Sequence, residues 1–166
     1  DTLVWSDIPN NRMLKLSNGK VDVYKDPSNY TNGNTTDNAG NVISCSHGGR
    51  CIYKTNDNFK VQTLVDNFNG KKLNSPNDLF VKSDGSIWFT DPPYGILSDY
   101  EGYPGEQEYG GCYVFSYDPN SKKLNVMIND LVRPNGITIS PDENKLYVAD
   151  TLSLIHISEP TRPSQI

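Results

Sequence analysis

The sequence predicts an all-β chain built from repeated four-stranded units, the pattern of a β-propeller. Three observations predict it. Short β-rich segments recur: "LVWSD" (3–7), "VISCS" (42–46), "IWFTD" (87–91) and "LYVAD" (146–150). Each of the last three follows a turn, "DNAGN", "SDGS" or "PDENK", and each turn follows an Asn-led segment, "NGNTT", "NDLFV" or "NGITI". No stretch holds a helical period, so almost no helix is expected. Four strands in roughly 40–50 residues is the signature of a propeller blade, and about four to eight blades close around a central channel.

In chain order, "LVWSD", "RMLKL" and "KVDVYK" supply the last three strands of a first blade. A second blade reads "NGNTT", "VISCS", "RCIYKT" and "VQTLVDNF"; a third reads "NDLFV", "IWFTD", "CYVFSYD" and "LNVMIND"; a fourth begins with "NGITI" and "LYVAD". β-branched and aromatic residues bounded by Gly, Asn and Asp carry these strand assignments. Asn18-Gly19 and Asp84-Gly85 mark hairpin turns that need φ > 0. Asn32, Asn77 and Asn135 hold the same place in three units. Residues 96–111, "ILSDYEGYPGEQEYGG", form an insertion that reads as a solvent loop or as a lid over a channel mouth.

Residues 1–151 thus make a partial propeller of about three blades: the end of one, two whole ones and the start of a fourth. That is too little to close a ring, so the chain is expected to be a fragment, with apolar blade faces and strand edges open at both ends. After Thr151 the rhythm stops. Leu152–Arg162 resembles a translated transposase-type sequencing adapter, so residues 152–166 read as a non-native tail; they are left out of the fold, and His156 is given no role.

The net charge is −5 with scattered Lys and Arg, which argues against a nucleic-acid partner. No run of about 18 apolar residues is present, so neither a spanning helix nor a membrane partner is expected. No signal peptide is visible, which points to the cytoplasm; an N-terminus expected to be missing leaves the periplasm or secretion open. Cys45, Cys51 and Cys112 have neither a disulfide nor a zinc spacing and read as buried free thiols.

The motifs "LNSPNDLFVKSDGSIWFTDPPYGI", "VRPNGITISPDENKLYVADT" and "LVWSDIPNNRMLKL", supported by "SCSHGGR" and "NYTNGNT", resemble the gluconolactonase / senescence-marker-protein (regucalcin-like) family, gluconolactonase branch. The resemblance spans essentially all of residues 1–151. It implies a six-bladed propeller holding a divalent cation, commonly Ca²⁺, with Zn²⁺, Mg²⁺ or Mn²⁺ as alternatives. It implies hydrolysis of a small-molecule sugar lactone or ester, with organophosphate hydrolysis as a related activity; a non-catalytic binding propeller is the competing reading. Carried over by motif, Asn135 of "RPNGI" is a metal ligand, and Asn77 of "SPND" lies at the metal or substrate. The family's Glu ligand belongs upstream of Asp1, and its Asp, the usual general base, belongs downstream of Thr151. No catalytic base is therefore expected within the chain, which by itself is expected to be inactive. Asp150 belongs to the recurring strand terminus and is no replacement.

The chemistry suits these residue types. A hard cation takes oxygen ligands, amide carbonyls included. It can polarise a lactone carbonyl and acidify a bound water, whose proton a carboxylate accepts. From spacing alone, Asn77 and Asn135 read equally as turn residues. The candidate metal ligands are Asn135 and Asn77; the candidate substrate contacts are Asn77, His47 and Tyr94. His47 also reads as a loop histidine with a structural hydrogen bond, Asp91 and Tyr94 as strand-end turn residues first and substrate contacts second, and Arg50 as a solvated charge or, less favoured, a contact to a substrate hydroxyl. No GxSxG motif accompanies "HGG", so a serine hydrolase is excluded.

Overall fold

The computed structural model describes residues 2–56 and 58–152, together with the backbone of His156–Pro160. Four sheets follow one another along the chain. The first has the order β1 (Thr2–Asp7), β2 (Arg12–Ser17), β3 (Lys20–Lys25), and the second β4 (Thr31–Thr36), β5 (Val42–Ser46), β6 (Cys51–Thr55), β7 (Val61–Val65). A short hairpin, β8 (Asn67–Phe68) and β9 (Lys71–Lys72), leads to the third sheet. That sheet has the order β10 (Leu79–Val81), β11 (Ile87–Asp91), β12 (Tyr113–Asp118), β13 (Lys123–Ile128). The fourth runs β14 (Pro134–Ile139), β15 (Lys145–Asp150), β16 (His156–Pro160). Every pairing within these sheets is antiparallel and between consecutive strands, so each is an up-and-down meander, the form of a blade. The only helix among the described residues is the single turn α1 (Tyr94–Leu97).

Most strands form where β-branched and aromatic residues predict them. The expected strand "VQTLVDNF" instead ends at Val65, its Asn67–Phe68 pairing with Lys71–Lys72. One tail segment adds a strand, β16 pairing with β15 from Lys145↔Pro160 to Ala149↔His156. Backbone pairing of this kind is open to many sequences. Residues 153–155 and 161–166 of the expected tail lie outside the described residues.

Successive residues of a strand point to opposite faces. In the third blade both faces are apolar. Leu79, Ile87, Phe89, Phe115 and Tyr117 pack with Ile43, Cys45, Ile52 and Val65 of the second blade. Phe80 and Val114, with the partly buried Trp88, pack instead with Ile137, Leu146 and Val148 of the fourth. A sheet with one wet face would alternate apolar and polar; "IWF" does not, because both faces are covered. Phe89 and Phe115 are wholly buried, each contributing roughly 1.5–3 kcal/mol relative to exposure. On the first blade Leu3, Val21 and Val23 stay more than half exposed. Cys45, Cys51 and Cys112 are buried and free.

The two turn expectations resolve differently. Asn18 and Gly19 both adopt positive φ (52° and 74°). At Asp84-Gly85 only Gly85 does (85°), while Asp84 accepts hydrogen bonds from the Ser86 N–H and hydroxyl at 2.8 and 2.6 Å. The carboxylate closes that turn in place of a left-handed backbone.

Blades approach most closely at their innermost strands. A Cβ on Gly33 would lie 2.6 Å from the Asn77 carbonyl oxygen and 2.8 Å from Asp78 Cα, both backbone atoms that cannot swing aside. At Gly136 the nearest atoms would be 3.9 Å away, an ordinary contact. Gly33→Ala is therefore expected to destabilise the full-length protein by about 1–3 kcal/mol. Urea unfolding of the variant checks this; a midpoint equal to that of the wild type would contradict the close approach.

Candidate functional site

Three asparagines stand in one register. Asn32 follows Thr31, which pairs with Ser46 at the end of β5; Asn135 follows Pro134, which pairs with Asp150 at the end of β15. Each ladder then skips the Asn-Gly dipeptide and resumes at Asn34 or Ile137. Such a bulge re-aims side chains. In the third blade Asn77 donates its N–H to the Thr90 carbonyl (2.9 Å), and regular pairing begins at Leu79↔Phe89.

Two sets of bonds hold these positions. The first lies within each blade, three residues before the asparagine. The Asp91 carboxylate accepts the Asn74 N–H at 2.8 Å, and Asp150 accepts the N–H groups of Val132 and Arg133 at 2.8 and 2.9 Å. Ser46 donates to the Asn29 carbonyl at 2.8 Å. The recurring acidic or hydroxyl residue that closes each second strand thus anchors the segment entering the innermost strand. The second set crosses between blades. The asparagine carbonyls accept from the preceding blade: Asn32 from the Ser6 hydroxyl (2.6 Å), Asn77 from the Gly33 N–H (2.8 Å) and Asn135 from the Thr90 hydroxyl (2.6 Å). Asp78 Oδ2 adds a further tie by accepting the Ile137 N–H at 3.0 Å.

Of the residues expected at the site, the structure brings His47 and Asn77 together and adds Asn32. His47 is fully buried, with Nε2 3.0 Å from Asn32 Nδ2 and 3.5 Å from Asn77 Nδ2. Its Nδ1 lies 2.9 Å from the Glu101 backbone oxygen. Burial pushes its pKa down to about 4, so the ring is neutral near pH 7. Asn135 contacts neither; its Nδ2 donates to the Thr151 hydroxyl at 3.2 Å. Tyr94 opens α1 with the Arg133 guanidinium 5.7 Å from its ring centre. The Tyr94 hydroxyl is buried and has no hydrogen-bond partner among the described residues. A phenol in that state calls for a polar group from elsewhere.

The insertion is not a free loop. It folds over the "SHGGR" turn of the preceding blade, where the Glu101 carbonyl meets His47 and Tyr103 meets Tyr30 edge-on at 5.2 Å. Arg50 donates to the carbonyls of Leu73 (2.5 Å) and Glu106 (3.0 Å), and its guanidinium lies 3.7 Å from Glu108. Arg50 is thus a clamp rather than a solvated charge. The sequence signals for this strap are slight: Gly48, where a Cβ would meet the Tyr103 ring, and Gly95, where a Cβ would clash with the His47 side chain.

For a hard cation the donor type is right. The Oδ1 atoms of Asn32, Asn77 and Asn135 accept no hydrogen bond among the described residues. These are neutral ligands. No group of three or more His, Cys, Asp or Glu able to hold a metal occurs among the described residues, so balancing carboxylates would have to come from elsewhere.

The sequence and fold match known proteins. The SMP-30/gluconolactonase/LRE-like region matches residues 1–158. A gluconolactonase of Zymomonas mobilis is 35% identical over 164 residues, which cover 90% of this chain and 45% of that protein. The structure of a gluconolactonase from Xanthomonas campestris superposes with a TM-score of 0.94 at 39% identity, covering 98% of this chain and 55% of that one. A calcium-binding regucalcin structure from Agrobacterium tumefaciens shares the fold alone, with a TM-score of 0.72 at 17% identity. The chain spans about half the length of these relatives.

Asp91 gives this region a pH signature. Burial raises its pKa to about 7, against the opposing pull of hydrogen bonds from Tyr109 and Asn74. An unfolded Asp titrates near 3.9. Between those values the folded state holds a proton that the unfolded state has lost, so this contribution is complete below about pH 4, falls as pH rises and is gone above about 7. Asp91→Asn should remove that slope. Urea midpoints at pH 4.5 and 7.5 should show the wild type losing stability relative to the variant; parallel shifts would exclude a raised Asp91 pKa.

Proposed function

The chain belongs to the SMP-30/gluconolactonase/LRE-like family, and from that premise we propose that the full-length protein is a cation-assisted hydrolase of sugar lactones. The observation that carries this reading is the set of three register-equivalent amides, two of them gathered at one buried imidazole beside the innermost strands. The 35% identity to a gluconolactonase supports the substrate class.

Asn77 and Asn135 would hold the cation through Oδ1, with Asn32 as a third amide of the same register. A bound divalent cation supplies Lewis-acid polarisation of the lactone carbonyl and acidifies water. The chain's own residues bind and orient. The Asn carbonyls are fixed from the preceding blade, so the amides are preorganised rather than recruited by substrate. Tyr94 would meet the substrate through its half-buried ring, backed by Arg133; its unpaired hydroxyl is buried and would reach a sugar hydroxyl only after a local shift. The strap formed by the insertion limits water at the mouth. The proton acceptor is the carboxylate that the family resemblance places in a later blade.

Lactone hydrolysis by the full-length protein, followed as acid release from glucono-δ-lactone, tests this. Asn77→Ala and Asn135→Ala should each lower kcat/KM by about 100-fold, with unfolding midpoints little changed. Removing divalent ions with a chelator should abolish activity and Ca²⁺ should restore it; full activity after chelation would defeat the cation reading. Tyr94→Phe should raise KM by up to about tenfold, the value of one hydrogen bond, with kcat less affected. An unchanged KM would remove Tyr94 from the substrate site.

A further inference from the structure

The three groups around His47 determine one another's orientation. Its Nδ1 faces the Glu101 backbone carbonyl at 2.9 Å, and a carbonyl oxygen only accepts. Nδ1 therefore carries a proton. The ring is fully buried, and the atoms facing Nε2 are amide nitrogens, which only donate, so Nε2 is a bare lone pair. Asn32 Nδ2 at 3.0 Å is its hydrogen-bond donor, and Asn77 Nδ2 at 3.5 Å is a longer and weaker second. In each amide the oxygen then faces away from the imidazole.

Without such a partner an asparagine amide is nearly symmetric in shape, and its oxygen and nitrogen can exchange places. A cation accepts only the oxygen. We infer that His47 is a positioning residue: its Nε2 sets which end of the Asn32 and Asn77 amides is available to a ligand, and the Glu101 carbonyl of the strap sets the tautomer that makes this possible. The inference rests on the cation reading above for its consequence, but not for its geometry. It connects the insertion to the site through one backbone oxygen, 54 residues along the chain from the imidazole. It also accounts for two tight glycines. A side chain at Gly95 would displace the imidazole, and one at Gly48 would meet the Tyr103 ring, which belongs to the strap. The Glu101 carboxylate, 3.8 Å from Nδ1, lies on the same side as the carbonyl and reinforces the Nδ1–H tautomer.

The test uses the full-length protein and two variants. His47→Leu removes the acceptor; His47→Gln keeps an acceptor oxygen close to the place of Nε2. Calcium titration by calorimetry should show affinity about 10–100-fold weaker for the Leu variant, the usual cost of losing a group that orients a ligand. The Gln variant should stay within about threefold of wild type, the loss of at most one weak bond. Leu binding as wild type does, or Gln binding no better than Leu, would overturn the assignment. The ¹⁵N spectrum of the imidazole supplies a readout independent of any cation: Nδ1 protonated and Nε2 bare is expected, and a proton on Nε2 would overturn the inference. Should the wild type bind no divalent cation, the cation reading falls while that spectrum still decides the role of His47. Should the Leu variant not fold, the Gln variant and the spectrum decide it.

Discussion

The arrangement depends first on a bond that ends each second strand. Asp91, Asp150 and Ser46 each fix the backbone three residues ahead of an inner-strand asparagine. An Asp at a strand terminus usually meets solvent. Asp91 and Asp150 are instead buried, and each exchanges hydration for backbone amides of its own blade. A buried carboxyl group needs donors. Asp150 receives them on both oxygens, whereas Asp91 receives them on Oδ2, its Oδ1 being buried without a partner among the described residues, in line with its raised pKa. That requirement makes the bond specific: the loop must return its N–H groups to the carboxylate, and the path of the chain into the innermost strand follows.

The second constraint runs between blades. The same asparagines that are anchored from within by a strand end are held from outside through their carbonyls, by Ser6, Gly33 or Thr90 of the preceding blade. Backbone fixed at both ends leaves the side chain with only its own rotamers to lose, so a ligand would find the amides already placed. At Gly33 the next blade's backbone lies within contact of the missing Cβ, so a side chain there would push the two blades apart.

Much of this was legible because it is periodic. The strands, the turn at Asn18-Gly19 and the equivalence of Asn32, Asn77 and Asn135 follow from repeats and local chemistry, and register converts such repeats into positions. Three features were not legible, and each for a physical reason. Asp84 uses its side chain rather than its backbone to make the turn, and both routes favour the same residue type. The docking of the insertion is long-range: His47 meets Glu101, and Arg50 meets Glu106, through backbone oxygens that any residue could supply. The role of the Asp at each strand end lies in its partners' N–H groups, which leave no mark on composition.

The amides' neutrality has its own consequence for the proposed chemistry. A cation surrounded by several carboxylates has much of its charge cancelled by its ligands, which binds it tightly but weakens its pull on a substrate carbonyl. Asparagine oxygens bind through dipoles and leave the net charge in place. A cage with amides on these blades and carboxylates from elsewhere would trade affinity for Lewis acidity. That balance holds only if the amides present oxygen, since a single reversed amide would aim N–H donors at the cation. A neutral imidazole facing two amides, its tautomer set by the strap, meets that requirement without adding charge. Lysine or arginine in the place of His47 would repel the cation, and a carboxylate there would be another anion to desolvate. Histidine, buried and kept uncharged, supplies an acceptor on one side and a donor on the other, which is the combination this position needs.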